Sequence, residues 1–89
     1  MQDELVTQST SFVRWLFRRL RARVFVPDDV AEDILAEGLV GLVAAARRYD
    51  SSKGSFFTFA RKYVWGHMLD GLCRYNEIPV EVLRRHLRV

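Results

Sequence analysis

The chain is poor in the residues that build covalent or metal-held folds. Cys73 is its one cysteine, so an internal disulfide is excluded, and the histidines, His67 and His86, stand apart with no zinc-ligand spacing. No metal and no cofactor are expected, and Cys73 reads as a small packing residue. No apolar run is long enough to span a bilayer, and the start MQDELVTQ lacks a basic segment followed by an apolar one. Neither a transmembrane helix nor a signal peptide is expected, and the location these features predict is the cytoplasm. Repeats, low-complexity tracts, interdomain linkers and defensible strand patterns are missing too. So are the nucleophile elbow, the phosphate-cradling glycine loop and HExxH, and the acid–base candidates share no motif, so an enzyme is not expected. What is there is 89 residues, 49% hydrophobic, which is enough for one domain with one modest core and too apolar for disorder.

Charge is segregated along the chain. The net charge of +3 hides a block of Arg14, Arg18, Arg19, Arg21 and Arg23. Asp28, Asp29, Glu32, Asp33 and Glu37 follow with no cation among them, and then come Arg47, Arg48, Lys53, Arg61, Lys62 and Arg74. A basic surface suits a polyanion and an acidic helix opening suits a cationic protein surface, so two partners are expected. Asp28 and Asp29 also fit the ordinary preference for carboxylates at a helix start.

Helical periodicity accounts for most of the sequence. Over residues 3–24, Phe12, Val13, Leu16, Phe17, Leu20 and Val24 recur at spacings of three and four, with a largely arginine opposite side. Pro27 can open a second helix, with Asp28 and Asp29 accepting its first amide hydrogens, and that helix runs to about Tyr49. Its second half, GLVGLVAAA, is apolar on nearly every side and reads as the hub of the core, where Gly38 and Gly41 admit a closely packed neighbour. Residues 49–55 form a polar turn in which Gly54 can take a positive φ and Ser55 can cap the third helix. That helix, over 56–74, puts Phe56, Phe57, Ala60, Val64, Met68 and Leu72 on one face, and Phe59, Lys62, Tyr63 and Gly66 on another. The second face is either a contact surface or a widening of the core stripe by an aromatic pair. Pro79 restarts the pattern as a short basic helix. The expected fold is all-α, a compact bundle of three main helices plus a short C-terminal one, forming a single domain over 1–89.

Several ordered motifs resemble one family. Asp33-Ile34-Leu35-Ala36-Glu37-Gly38-Leu39-Val40-Gly41-Leu42 comes first, followed by Arg48-Tyr49-Asp50 with Lys53-Gly54. Next are Phe56-Phe57-Thr58-Phe59-Ala60 and the stretch from Val64-Trp65-Gly66 through Met68-Leu69-Asp70 to Arg74. They resemble region 2 of bacterial RNA polymerase sigma factors of the alternative, flagellar and sporulation type. Ile78-Pro79 with Leu83-Arg84-Arg85 continues the similarity, which covers roughly residues 4–88. Ala36 stands where the family has a glutamine, Phe59 where it has a tyrosine, and Lys62-Tyr63 where primary members have a tryptophan pair.

The resemblance implies docking on a coiled coil of the core RNA polymerase clamp through Asp33, Ala36, Glu37 and Val40. It also implies recognition of the promoter minus-ten element as unpaired non-template DNA. Tyr49, Phe59 and Tyr63 would hold bases, beside Gly66, and Lys53, Arg61 and Lys62 would lie near phosphates. An anti-sigma factor is a further implied partner. Two other readings stay open: a stand-alone protein-interaction domain of this fold without DNA recognition, and a membrane-surface or calmodulin-target helix built on residues 12–24.

Overall fold

The computed structural model describes residues 2–76 together with 81, 82 and 85, with side chains from residue 7 onward. Three helices follow in order: α1 (Gln2–Arg21), α2 (Asp28–Arg48) and α3 (Phe56–Asn76), with a 3-10 turn (Ser51–Lys53) between the last two. The fold is all-α, with no strand among the described residues. The expected C-terminal helix falls outside the described residues apart from Glu81, Val82 and Arg85.

The arginine-rich helix α1 spends its apolar stripe on the core. Val13, Leu16, Phe17 and Leu20 are buried against the other helices, each burial being worth about 1.5 to 3 kcal/mol. A membrane or target-peptide partner would need that same stripe, so α1 is amphipathic as expected, but its apolar side is taken by the core, against the alternative of a membrane-surface or calmodulin-target helix. The helix stops at Arg21, three residues before the periodicity does, because the amides of Arg23 and Val24 both turn back to the Leu20 carbonyl at 3.0 Å.

The corner into α2 departs from the expected cap. Asp28 does not bond the first amides of α2. Its Oδ1 lies 2.7 Å from Arg21 Nη2, which also donates to the Val26 carbonyl at 3.0 Å. Pro27 takes the cap position without a side-chain bond, and its carbonyl accepts from the Val30 amide at 3.2 Å. A guanidinium that can satisfy a carboxylate and a carbonyl together competes well with a helix start for the same acid.

Helices α2 and α3 form the main seam, and the two glycines do different jobs in it. A Cβ at Gly41 would sit 2.5 Å from the Tyr63 carbonyl oxygen and 3.0 Å from Val64 Cα, so two backbones touch there. A Cβ at Gly38 would meet side chains instead, Val13 Cγ1 at 2.8 Å and Met68 Cγ at 3.2 Å. The expectation that the second half of α2 is buried all round is corrected. Gly38, Gly41, Leu42 and Ala45 face inward, but Leu39, Val40 and Val43 are 41%, 54% and 52% exposed. The reason is geometric: α1 and α3 pack on one side of α2, and no described helix covers the other.

The turn after α2 is as the sequence suggests, with one addition. Gly54 has φ +85°, a region that side chains disfavour. The Asp50 carboxylate accepts from the Ser52 amide at 2.9 Å and from the Ser52 hydroxyl, closing an Asx turn. The Tyr49 hydroxyl donates to the Gly54 carbonyl across the turn. Ser55 caps α3 loosely, its hydroxyl accepting from the Thr58 amide at 3.5 Å.

Candidate nucleic-acid and protein interfaces

One side of α3 is solid core. Ala60, Val64, Met68 and Leu72 are buried as the spacing requires, and Trp65, Leu69, Gly71 and Cys73 widen the buried sector along the C-terminal half. Phe56 and Phe57 are only half-buried, and Phe56 packs against the rim of the core.

The aromatic face, for which the spacing allowed two readings, does widen the core stripe and is at the same time partly open. Phe59 and Tyr63 rest their inner edges on the core and remain partly open to solvent. Their ring centres are 5.2 Å apart, and Tyr49 joins the row 5.5 Å from Phe59. Rings held on a packed base lose little freedom when a flat ligand stacks on them. Lys62 and Arg61 are exposed on the same helix, Gly66 is half-buried one turn beyond, and the Arg48 guanidinium lies 5.9 Å over the Tyr63 ring. Tyr49 is more tied down by its neighbours than a free ring would be. Its hydroxyl is bonded to Gly54, and its ring meets Phe56 edge-on at 5.3 Å, so it acts as a brace. Lys53, also exposed, sits on the 3-10 turn that abuts α3 and not on the aromatic helix itself.

The rings extend beyond those that spacing picks out. Phe56 and Phe57 stand 5.3 Å apart, Phe57 lies 4.9 Å from Phe12 of α1, and Phe12 stacks with Trp15 at 6.4 Å. An unbroken run of aromatics thus reaches from Tyr63 around the start of α3 to Trp15. Phe12 is legible as a core position, whereas periodicity gives Trp15 no role. Its signal in the sequence is an arginine one turn later, Arg19, which lies over the indole at 5.1 Å.

The second surface is the outer side of α2. Asp33, Ala36 and Val40 lie on it, with Asp33 and Val40 exposed as the spacing requires. Glu37 is half-buried, and its Oε2 is 3.1 Å from Arg74 Nη2 of α3, so its charge is met inside the chain. The acidic edge is therefore narrower than the sequence implies, and Asp33 carries most of it. Beside it, Leu39, Val40, Val43, Ala44 and Arg47 line an open groove of about 380 Å³. Ala36 and Leu39 also border a smaller recess against Val13 and Thr10 of α1. Leu39 and Val43, one turn apart, escape a reading by periodicity because an all-apolar stretch gives no sign of which face lacks a neighbour.

Among the described residues no group of His, Cys, Asp and Glu could hold a metal ion, and no helix is long and apolar enough to cross a membrane. Compared with known proteins, the chain matches the family model Sigma-70 region 2 over residues 5–77. It is 33% identical over 84 residues to RNA polymerase sigma factor FliA of Pseudomonas aeruginosa, which covers 93% of this chain and 34% of that protein. To RNA polymerase sigma factor FliA of Escherichia coli strain K12 it is 39% identical over 67 residues, 73% of this chain and 28% of that protein. The chain spans about a third of the length of these relatives or less. No solved structure matches.

Proposed function

The chain belongs to the sigma-70 region 2 family, a non-enzymatic class of transcription-initiation modules, and on that premise we propose that it joins core RNA polymerase to unpaired promoter DNA. The observation that carries the DNA half is the Phe59–Tyr63 pair, half-sunk on the core of a helix whose outward side carries Lys62 and Arg61. Stacking of a base on such a ring is worth roughly 1 to 3 kcal/mol, and extruding a base from a duplex costs a few. Two rings with nearby cations therefore hold single-stranded minus-ten DNA better than the duplex, and the module stabilises the melted state. Tyr49 and Gly66 shape this site, and Lys53 supplies charge from the adjoining turn.

Docking on the polymerase clamp uses the outer side of α2. Asp33, Ala36 and Val40 contribute, and the groove of Leu39, Val40 and Val43 gives the contact its apolar centre, as expected of an interface core ringed by charge. Glu37 contributes less than Asp33, because Arg74 already pairs with it. An amphipathic partner helix fits a face of this kind.

The reading is tested by binding a labelled non-template minus-ten oligonucleotide, single-stranded and duplex, to the free chain and to the chain bound to core polymerase. Preference for the single strand, with co-purification on polymerase, is the expected result. A chain that co-purifies but ignores single-stranded DNA is the protein-interaction domain instead.

A further inference from the structure

The outer side of α2 has a symmetry of its own. Val40, 54% exposed, lies midway between Asp33 and Arg47, the charges at the two ends of that side, with seven residues' spacing to each. Seven residues are about two turns, or ~10.5 Å of helix, so the three fall along one stripe. Ala36 and Ala44 flank Val40 four residues to either side. Asp33 and Arg47 are both exposed, and neither forms an ion pair among the described residues. Glu37, the other acid nearby, is already met by Arg74. From end to end the stripe therefore runs acid, small, aliphatic, small, base.

A stripe in this order is complementary to itself when turned end for end. With two copies of α2 antiparallel about a two-fold axis through Val40, each Val40 faces its counterpart, Ala36 faces Ala44, and Asp33 faces Arg47 at both ends. The alanines let the two helix axes approach toward the near end of the usual range, about 8 Å. A parallel arrangement would instead oppose acid to acid and base to base, which repels.

We infer that the outer side of α2 is a self-recognition surface, on which two copies of this chain pair antiparallel about Val40. Such an interface is isologous, the same patch serving both copies. Leu39 and Val43, beside the stripe, give it apolar cover. Three partly exposed aliphatics per copy fall well short of the ~1,600 Å² of a standard interface, so the pair is weak and depends on concentration. Pairing occupies the surface assigned above to polymerase, so a paired chain is withheld from it. That consequence rests on the proposed function, whereas the pairing itself does not.

Sedimentation equilibrium of the chain alone, from about 10 μM to about 1 mM at low salt, tests the pairing. A monomer–dimer equilibrium is expected. Asp33→Arg and Arg47→Asp each set like charges against one another at both ends, and each should weaken the dimer at least about 5-fold. Asp33→Arg combined with Arg47→Asp keeps the net charge and reverses both pairs, so it should restore dimerisation to near the wild-type level. Weakened single variants with a restored double variant are the signature of the antiparallel register. Val40→Asp, which brings two carboxylates together on the axis, should leave the chain monomeric.

A wild-type chain that stays monomeric at about 1 mM overturns the inference. So do single charge variants that pair as tightly as wild type, a double variant that pairs no better than the single ones, or a folded Val40→Asp chain that still dimerises. If Val40→Asp loses its helical circular-dichroism signal, the three charge variants, all at exposed positions, decide alone. None of these measurements uses polymerase or DNA, so failure here leaves the proposed function standing, and failure to bind polymerase leaves the pairing standing.

Discussion

The outer sides of α2 and α3 face solvent from the same small bundle, yet they are built in opposite ways. On α2 the exposed large hydrophobics, Leu39, Val40 and Val43, are all aliphatic, and they border a groove. On α3 the exposed side has half-buried rings and outward cations, and its large hydrophobics are anchored at one edge to the core. Flexible aliphatics around a groove gain by excluding water against a partner of matching shape. Anchored rings beside cations gain by stacking on flat groups and meeting phosphates, and need little complementarity of outline. The first design suits a shaped surface, and the second suits a repeating chemistry.

The largest expected effect removes the distinction by separating the helices. Gly41→Val puts a branched side chain where a Cβ already meets the Tyr63 and Val64 backbone. It should cost about 3 kcal/mol or more in urea denaturation, at the upper end of overpacking penalties. Gly41→Ala should also destabilise, although alanine favours an isolated helix by about 1 kcal/mol. A more stable Gly41→Ala would show that the backbones need not touch.

Next in size is the aliphatic face. Val40→Asp with Val43→Asp should weaken association with core polymerase by at least about 2 kcal/mol, roughly 30-fold. Single-stranded DNA binding and helical content should be unaffected, and pull-down beside oligonucleotide titration reads both. Loss of DNA binding in this variant would mean that the two sides are one surface.

Tyr63→Ala is the mirror experiment. Binding of single-stranded minus-ten DNA should fall by roughly 1 to 3 kcal/mol while polymerase association persists. Because the inner edge of the ring rests on the core, a small loss of stability should accompany it. Unfolding in place of lost binding would make Tyr63 a packing residue alone.

The smallest effect sharpens the α3 side. Lys62→Ala should reduce the salt slope of single-strand binding by about 0.7 and leave sequence preference alone. A slope that stays constant would place Lys62 away from phosphates.

Much of this architecture can be read from the residues. The period of the apolar positions marks all three helices, with α2 and α3 bounded within two residues, because each has a clear start signal just before it, at Pro27 or Gly54. The close pass at Gly41 and the positive φ of Gly54 are legible for the same reason: each answers a local steric demand. Periodicity fails where a helix is apolar throughout. Nothing in GLVGLVAAA says that Leu39, Val40 and Val43 go without a neighbour, since that depends on how few helices the chain folds around them. It fails again at contacts between elements. Asp28 is a sound helix opener on its own and is taken by Arg21 only once the corner closes, and Trp15 acquires Arg61 only when α3 folds back against α1.

The glycine contact at the α2–α3 seam also sets an orientation. Where two backbones touch there is no side chain between them to repack, so the helices cannot slide or roll past one another without opening the core. The seam therefore couples the outer side of α2 to the rings of α3: a partner that turned the one helix would turn the other with it.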